Sequence, residues 1–286
     1  MAHLLSAGEA FEDLVFVGLE RLPAAGEEVR TNRFTTSIGG GAPITAVAAA
    51  RLGLRVSLAS GLSDSAARRL RAERVRVVNL RRAGEPHAVS AALSTTDERA
   101  FVTFDGVNTR LEPRLARAVA ASPATHVHLA FYPRHCAAWA GRVRRLRARG
   151  VTSSWDFGWN DVLARDPDLP ALIDALDIVF LNDREASLYG GGDRRFWHER
   201  QALIVIKRGP DGSRAIAREG ECSAPAPRVT PVDTTGAGDA FNAGFLVRRL
   251  GGGALDDCLR AGNRVGAAST QKAGGIDALP RWRGRW

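Results

Sequence analysis

The feature that most constrains the fold is an alternation of two kinds of segment. "RVSLAS" (55–60), "HVHLAF" (126–131), "VTSSWDF" (151–157), "DIVFLN" (177–182) and "LIVIK" (203–207) are short and largely apolar. Such runs read as strands covered on both faces. Residues 111–121, 137–149 and 170–176 lie between them and carry apolar positions at helical spacing. Strands alternating with helices predict an α/β fold, with a mainly parallel sheet and helices on both of its faces. A chain of 286 residues can bury one sizeable core of this kind.

Two stretches break the rhythm. Residues 27–39 and 87–106 alternate polar and apolar positions and are rich in Val, Thr and Phe. The second carries "TTDER" at its middle and reads as a hairpin. Half-exposed strands of this type predict a small antiparallel β flap outside the main sheet. Beside an open α/β sheet, such a flap is placed to cover a site at the strand C-termini.

The chemistry is concentrated in "VDTTGAGDAFNAGFL" (232–246). Ala240, Ala243, Val247 and Leu250, joined by Phe241 and Phe245, are spaced as one helix that stops at Gly251-Gly252-Gly253. Gly236, Ala237 and Gly238 therefore fall at its N-terminus. The first amides of a helix have no partner within it, and the dipole favours an anion there. Asp239 sits where a carboxylate would repel that anion. It either caps the helix or faces an alcohol, taking the hydroxyl proton while the amides hold a migrating phosphoryl group. The flanking "DTT" and the apolar helix favour the second reading.

Other phosphate-binding patterns fail. There is no G-x-x-x-x-G-K-[ST], and no G-x-G-x-x-G follows a first strand. The net charge of +9 is almost wholly arginine, with Lys207 and Lys272 the only lysines. A basic balance suits anionic partners, but runs such as "RVRRLRARG" (142–150) have no interleaved aromatics and read as solvated helix faces. We expect no nucleic-acid partner. No apolar run reaches membrane-spanning length, so we expect no membrane association. Three scattered cysteines fit a reducing, cytoplasmic location. The histidines show no metal spacing, and His126 and His128 read as satisfied strand residues.

"DTTGAGDAF" closely resembles the C-terminal signature of the ribokinase-like (PfkB) carbohydrate kinases. The likeness covers nearly the whole chain. "GEAFEDLVFVG" and "LPAAGEEV" look like the family's first strand and lid entry, and "GGGAPITAVAAARLG" like its glycine-rich N-terminal signature. "LDIVFLNDREA" resembles its Asn-x-x-Glu segment, and "VIKRGPDGS" its nucleotide-side strand and turn. The resemblance implies a three-layer α/β/α ribokinase-like fold, with a lid discontinuous over about 10–38 and 87–106 of one domain spanning 1–286. It also implies transfer of the γ-phosphate of MgATP to an alcohol, usually a sugar CH2OH.

Site residues carry over position by position. Asp239 matches the catalytic base, and Gly236, Ala237 and Gly238 the anion hole. Asn182 and Glu185 match the pair that arranges magnesium, largely through water. Lys207, Gly209 and Gly212 match the nucleotide-lining segment, and Asn263 a position near the adenine. Asp233 and Thr235 match positions that hold a monovalent cation, such as K+, in some members. On the acceptor side, Asp13 matches the sugar-binding aspartate, which can accept bonds from two hydroxyls. Gly39, Gly40 and Gly41 would let the acceptor lie against backbone, and Asp156 ends a strand within its reach.

Three departures bear on the acceptor. Ile44 replaces the usual sugar-bonding Asn, "GLSDSAARR" has lost the glycines of the Gly-x-Asp-x-x-Gly segment, and Asn160 stands where an arginine is usual. With Trp155 and Trp159 nearby, these changes predict a more apolar, aromatic acceptor pocket. The reading is a sugar kinase, with a nucleoside kinase or an idle ligand-binding protein on the same fold as alternatives. Lid strands of this kind can pair between subunits, which leaves a homodimer open.

Overall fold

The computed structural model describes residues 2–95, 99–272 and 274–281. Its strands are β1 (His3–Gly8), β2 (Phe11–Val17), β3 (Arg33–Gly39), β4 (Arg55–Ser60), β5 (Arg76–Asn79), β6 (Val89–Ser94), β7 (Arg99–Phe104), β8 (His126–Ala130), β9 (Thr152–Asp156), β10 (Ile178–Asn182), β11 (Leu203–Lys207), β12 (Ser213–Ala217) and β13 (Gly220–Ala224). The helices are α1 (Gly41–Arg51), α2 (Asp64–Ala72), α3 (Glu112–Ala121), α4 (Cys136–Ala148), α5 (Leu169–Ala175), α6 (Asp183–Tyr189), α7 (Arg194–His198), α8 (Ala237–Leu250), α9 (Leu255–Ser269) and α10 (Gly275–Ala278).

Nine strands form the main sheet in the order β13-β12-β11-β10-β9-β8-β1-β4-β5. Pairing is parallel from β5 across to β11, and the β12–β13 hairpin adds an antiparallel edge. Two apolar cores flank the sheet. One packs Leu115, Trp139 and Leu172 against it, and the other Val47, Phe245 and Leu259. This is the expected three-layer α/β/α arrangement. Successive connections run one way from β1 to β4 and the other way from β8 onward. The chain therefore switches direction between β1 and β8, and the crevice at such a point is where ligands bind in open α/β sheets.

A second sheet has the order β3-β2-β6-β7. Its outer pairs are antiparallel, while β2 and β6 run parallel. Within 27–39 only Arg33–Gly39 is a strand. "GEAFEDLVFVG" is not the first core strand: that strand is β1, and this stretch supplies β2 of the small sheet. The partial exposure of Phe11–Val17, in which only Val15 is buried, distinguishes it from the fully buried β1. Residues 96–98 of the predicted hairpin turn lie outside the described residues.

The tryptophans also differ from expectation. Trp155 is fully buried, stacks on Phe157 and donates its Nε1–H to Phe131 O at 2.7 Å. It fills the core because its strand is covered on both sides. Trp159 is 52% exposed and bonds Asp161. His126 and His128 are buried and share the Ser154 hydroxyl; His126 is satisfied through both ring nitrogens, as expected, whereas His128 Nε2 has no hydrogen-bond partner among the described residues.

Candidate active site

Two helix N-termini meet at the switch point. Gly236 precedes α8 in the left-handed region, at φ +73°, and a Cβ there would lie 2.7 Å from Ile44 Cδ1. Ile44 is thus a core residue beneath the turn, 2% exposed, rather than a wall of an acceptor pocket. Of the three expected anion-hole residues, Ala237 has its amide tied to Thr234 O at 3.2 Å. The first bond of the α8 ladder runs from Ala240 N–H to Gly236 O. Asp239 lies in this first turn, and Thr45 donates its hydroxyl to Asp239 O at 3.2 Å.

The glycines before α1 are shaped to two carboxylates. A Cβ on Gly39 would lie 2.1 Å from Asp13 Oδ2, and one on Gly41 would lie 2.9 Å from Asp239 Oδ1. Gly40, at φ +97°, packs against Glu9 O. Asp13 and Asp239 are thus brought to opposite ends of the same Gly-Gly-Gly turn. Burial, with Asp233 adding repulsion, pushes the Asp13 carboxyl up to about 6. Burial, reinforced by the charges of Asp156 and Glu185 and opposed by Lys207, pushes Asp239 up to about 7. A carboxyl poised near neutrality is suited to general-base work.

Beside Asp239 lies a buried ion pair. Lys207 Nζ is 2.5 Å from Asp156 Oδ2, which also accepts from Asn242 Nδ2 at 2.7 Å. Lys207, Asn242 and the charge of the pair hold Asp156 ionised against its burial. Asp156 therefore anchors Lys207 instead of standing open to an acceptor. Asn242 was not anticipated. It lies three residues after Asp239, on the same face of α8, and that spacing was the available signal.

Asn182 and Glu185 form a reciprocal capping box on α6, with Glu185 Oε2 accepting from Asn182 N at 2.8 Å and Asn182 Oδ1 accepting from Glu185 N at 2.9 Å. Burial and the Asp156 charge raise the Glu185 carboxyl above its ordinary range. Asp233 is buried, and its carboxylate accepts from the amides of Thr235 and Gly274 at 2.8 and 3.0 Å.

On the other side of α8 a cavity of about 540 Å³ is lined by Lys207, Gly209, Gly212, Gly238, Phe241 and Asn263, among others. The nucleotide-side residues expected from the sequence thus share one concave surface. Their roles differ. Gly212, at φ +89°, has no room for a Cβ because Ala224 O would be 2.1 Å away, whereas Gly209 faces open space. Asn263 commits its Nδ2 to Ala224 O and Pro225 O, holding the end of β13 against α9. Phe241 and the Ala226–Pro231 loop were missed, the first because it reads as an ordinary helix residue.

A half-buried carboxyl at a helix N-terminus, between a mostly apolar cavity and a glycine turn, is an arrangement suited to phosphoryl transfer. The pfkB family carbohydrate kinase model matches residues 1–282. The chain belongs to that family and is an ATP-dependent kinase acting on an alcohol. It is 31% identical over 295 residues to an ATP-dependent ribose-1-phosphate kinase of Halopiger xanaduensis, covering 97% of this chain and 95% of that one. It is 27% identical to a ribokinase of Arabidopsis thaliana, over 97% of this chain and 78% of the relative. Among solved structures, ribokinase from Giardia lamblia superposes with a TM-score of 0.81 at 18% identity, covering 98% of each chain, which shows the fold.

Proposed function

We propose that the chain transfers the γ-phosphoryl group of ATP to a CH2OH group of a sugar or sugar-like acceptor, with Asp239 as the general base. The observation that carries this is the place of Asp239, in the first turn of α8 and against Gly41. Asp239 takes the hydroxyl proton as the acceptor oxygen bonds to phosphorus. The bond to the β-phosphate bridging oxygen breaks, and ADP leaves with that electron pair. The first-turn amides about Gly236 and Gly238 hold the equatorial charge. Lys207, Gly209, Gly212 and Asn263 border the nucleotide, with Lys207 offering a cation next to Gly238.

Among the described residues no cluster of three metal-ligating side chains exists. Magnesium fits this site as an ion carried mainly by phosphate and water, with Glu185 and Asn182 arranging that water. The raised Glu185 carboxyl supports this, since a nearby dication relieves it. When bound, the ion neutralises phosphate charge. Asp233 and Thr235 offer oxygen donors to a monovalent cation such as K+.

Asp13 holds the acceptor hydroxyls against Gly39, Gly40 and Gly41, and the β3-β2-β6-β7 sheet closes over them to exclude water. Phe34, Phe101 and Val102 on that sheet are 54%, 56% and 67% exposed, which suits pairing with a second copy. No helix among the described residues is long and apolar enough to cross a membrane. The cysteines Cys136, Cys222 and Cys258 are free, in keeping with a cytoplasmic enzyme.

The named relatives support a pentose-like acceptor, with a nucleoside as the second reading. ADP formation with a panel of sugars and nucleosides tests this. In Asp13→Ala the acceptor KM should rise at least about tenfold, as for loss of bonds to a charged group, with the KM for ATP little changed. Equal effects on both would remove Asp13 from the acceptor site. A panel in which nothing stimulates turnover, while a ligand still raises the Tm, would favour the idle binding protein.

A further inference from the structure

The segment "GLSDSAARR" (61–69) departs from its family pattern and has no part in the chemistry above. It forms the turn after β4 and the start of α2. Its base is tied to the main sheet. Asn79, at the end of β5, accepts from Leu62 N and donates to Leu62 O, both at 3.0 Å. Arg81 donates to Leu62 O at 2.6 Å and to Asp64 Oδ1 at 2.8 Å. From this anchored segment, side-chain bonds reach the small sheet at two places.

The first is Glu12, on β2. Its Oε1 accepts from the hydroxyls of Ser63 and Ser65, the latter at 2.8 Å, and its Oε2 lies 2.9 Å from His87 Nε2. Ser63 also caps α2, accepting from Ala66 N at 3.1 Å. Burial opposes the charge, but these partners hold the Glu12 carboxyl below its ordinary range. The second place is Ser37, buried on β3. It donates to Asp277 Oδ2 at 2.8 Å, and Asp277 Oδ1 accepts from Arg69 Nη2 at 2.7 Å.

Both places adjoin Asp13. Glu12 precedes it, so the two side chains leave β2 on opposite faces. Ser37 pairs with it across β2 and β3, so those side chains share a face. The Asp13 carboxylate has no hydrogen bond of its own among the described residues, so its place depends on its strand.

We propose that α2 braces the acceptor site: Ser63, Ser65 and Arg69 are positioning residues that grip the β2–β3 pair on both faces and hold Asp13 at the Gly39–Gly41 turn. This rests on the reading of Asp13 as the acceptor's ligand. The bonds join the root of the small sheet to an anchored part of the main one. The far end of the small sheet can then close while Asp13 keeps its place.

The test uses the full chain with Glu12→Ala and Arg69→Met combined, which breaks the grip on both faces and leaves Ser63 as the helix cap. D-ribose, D-fructose and adenosine are the acceptor probes, and ADP formation gives both KM values. The acceptor KM should rise about tenfold, as for one lost bond to a charged group, while the KM for ATP stays within about twofold. Glu12→Gln with Arg69→Lys, which can keep one bond on each face, should recover most of this. In an Asp13→Ala background the double change should add less than about twofold, because a brace acts only through the group it holds. Amide hydrogen exchange gives a readout without acceptor: protection in β2 and β3 should fall at least about tenfold in the double variant while that in β8 holds. An equal rise in both KM values, a rise as large without Asp13, or unchanged protection in β2 and β3 would each overturn the proposal. If Asp13→Ala alone leaves the acceptor KM unchanged, the acceptor reading of Asp13 fails first, and the brace with it. If no probe yields ADP, the exchange series alone decides the brace.

Discussion

Gly41 lies directly against Asp239: a methyl group on its Cα would come 2.9 Å from Asp239 Oδ1 and 3.0 Å from Ala130 Cβ. The start of one helix therefore sets the position of the base at the start of another. Gly41→Ala should displace the carboxyl rather than unfold α1, because the nearest atom is a side-chain tip. A displacement on the order of 1 Å predicts about a 10²-fold loss in kcat. Stability should change by less than about 1 kcal/mol, since alanine favours a helix. Steady-state turnover and thermal melting check this together.

The acid limb of the rate profile should report Asp239. Its carboxyl sits near 7, and only the ionised form accepts a proton, so kcat/KM should fall as pH drops through about 7. Lys207 holds Asp239 down, so Lys207→Met should move this limb to higher pH. The same change leaves Asp156 buried and unpaired, at a cost of about 3–5 kcal/mol in stability. A limb that does not move would separate Lys207 from the base.

Asp239 should also work against the fold at neutral pH. Its folded pKa is raised, so its contribution is fully present below pH 3.8 and is lost as pH rises through about 7. Asp239→Asn, inactive, should then melt above the wild type at pH 8. The half-open site screens this charge, so the gain should be on the order of 2 kcal/mol. The difference should vanish below about pH 4. Equal melting at both pH values would contradict the burial argument.

Gly209 and Gly212 should separate. Gly209→Ala meets open space at φ +55° and should cost about 1 kcal/mol. Gly212→Ala adds a clash with Ala224 O to a φ of +89° and should cost roughly 2–4 kcal/mol, weakening ATP binding through the displaced hairpin. Chemical denaturation and nucleotide titration of the two variants distinguish a turn glycine from a pocket glycine.

Much of this was legible in the sequence where signals are local. The alternation of strands and helices, the start of α8 and the Gly39–Gly41 turn all follow from patterns a few residues long. The boundary between β1 and β2 was not, because "GEAFEDLVFVG" is apolar enough to read as a core strand, and only its half-exposed pairing shows otherwise. The role of Asp156 was hidden for another reason. Its partners Lys207 and Asn242 come from β11 and α8, 51 and 86 residues away, and only the sheet order joins them. The buried Trp155 and Ile44 show the same limit: a side chain's face cannot be read until the layers on both sides are known.

Single-turnover phosphoryl transfer by Asp239→Asn, with nucleotide affinity measured on the same preparation, tests the account most directly. Loss of about 10²–10⁴-fold in rate with ATP affinity retained is the predicted result for a missing general base. A rate equal to that of the wild type would contradict it, leaving Asp239 as no more than a residue in the first turn of α8.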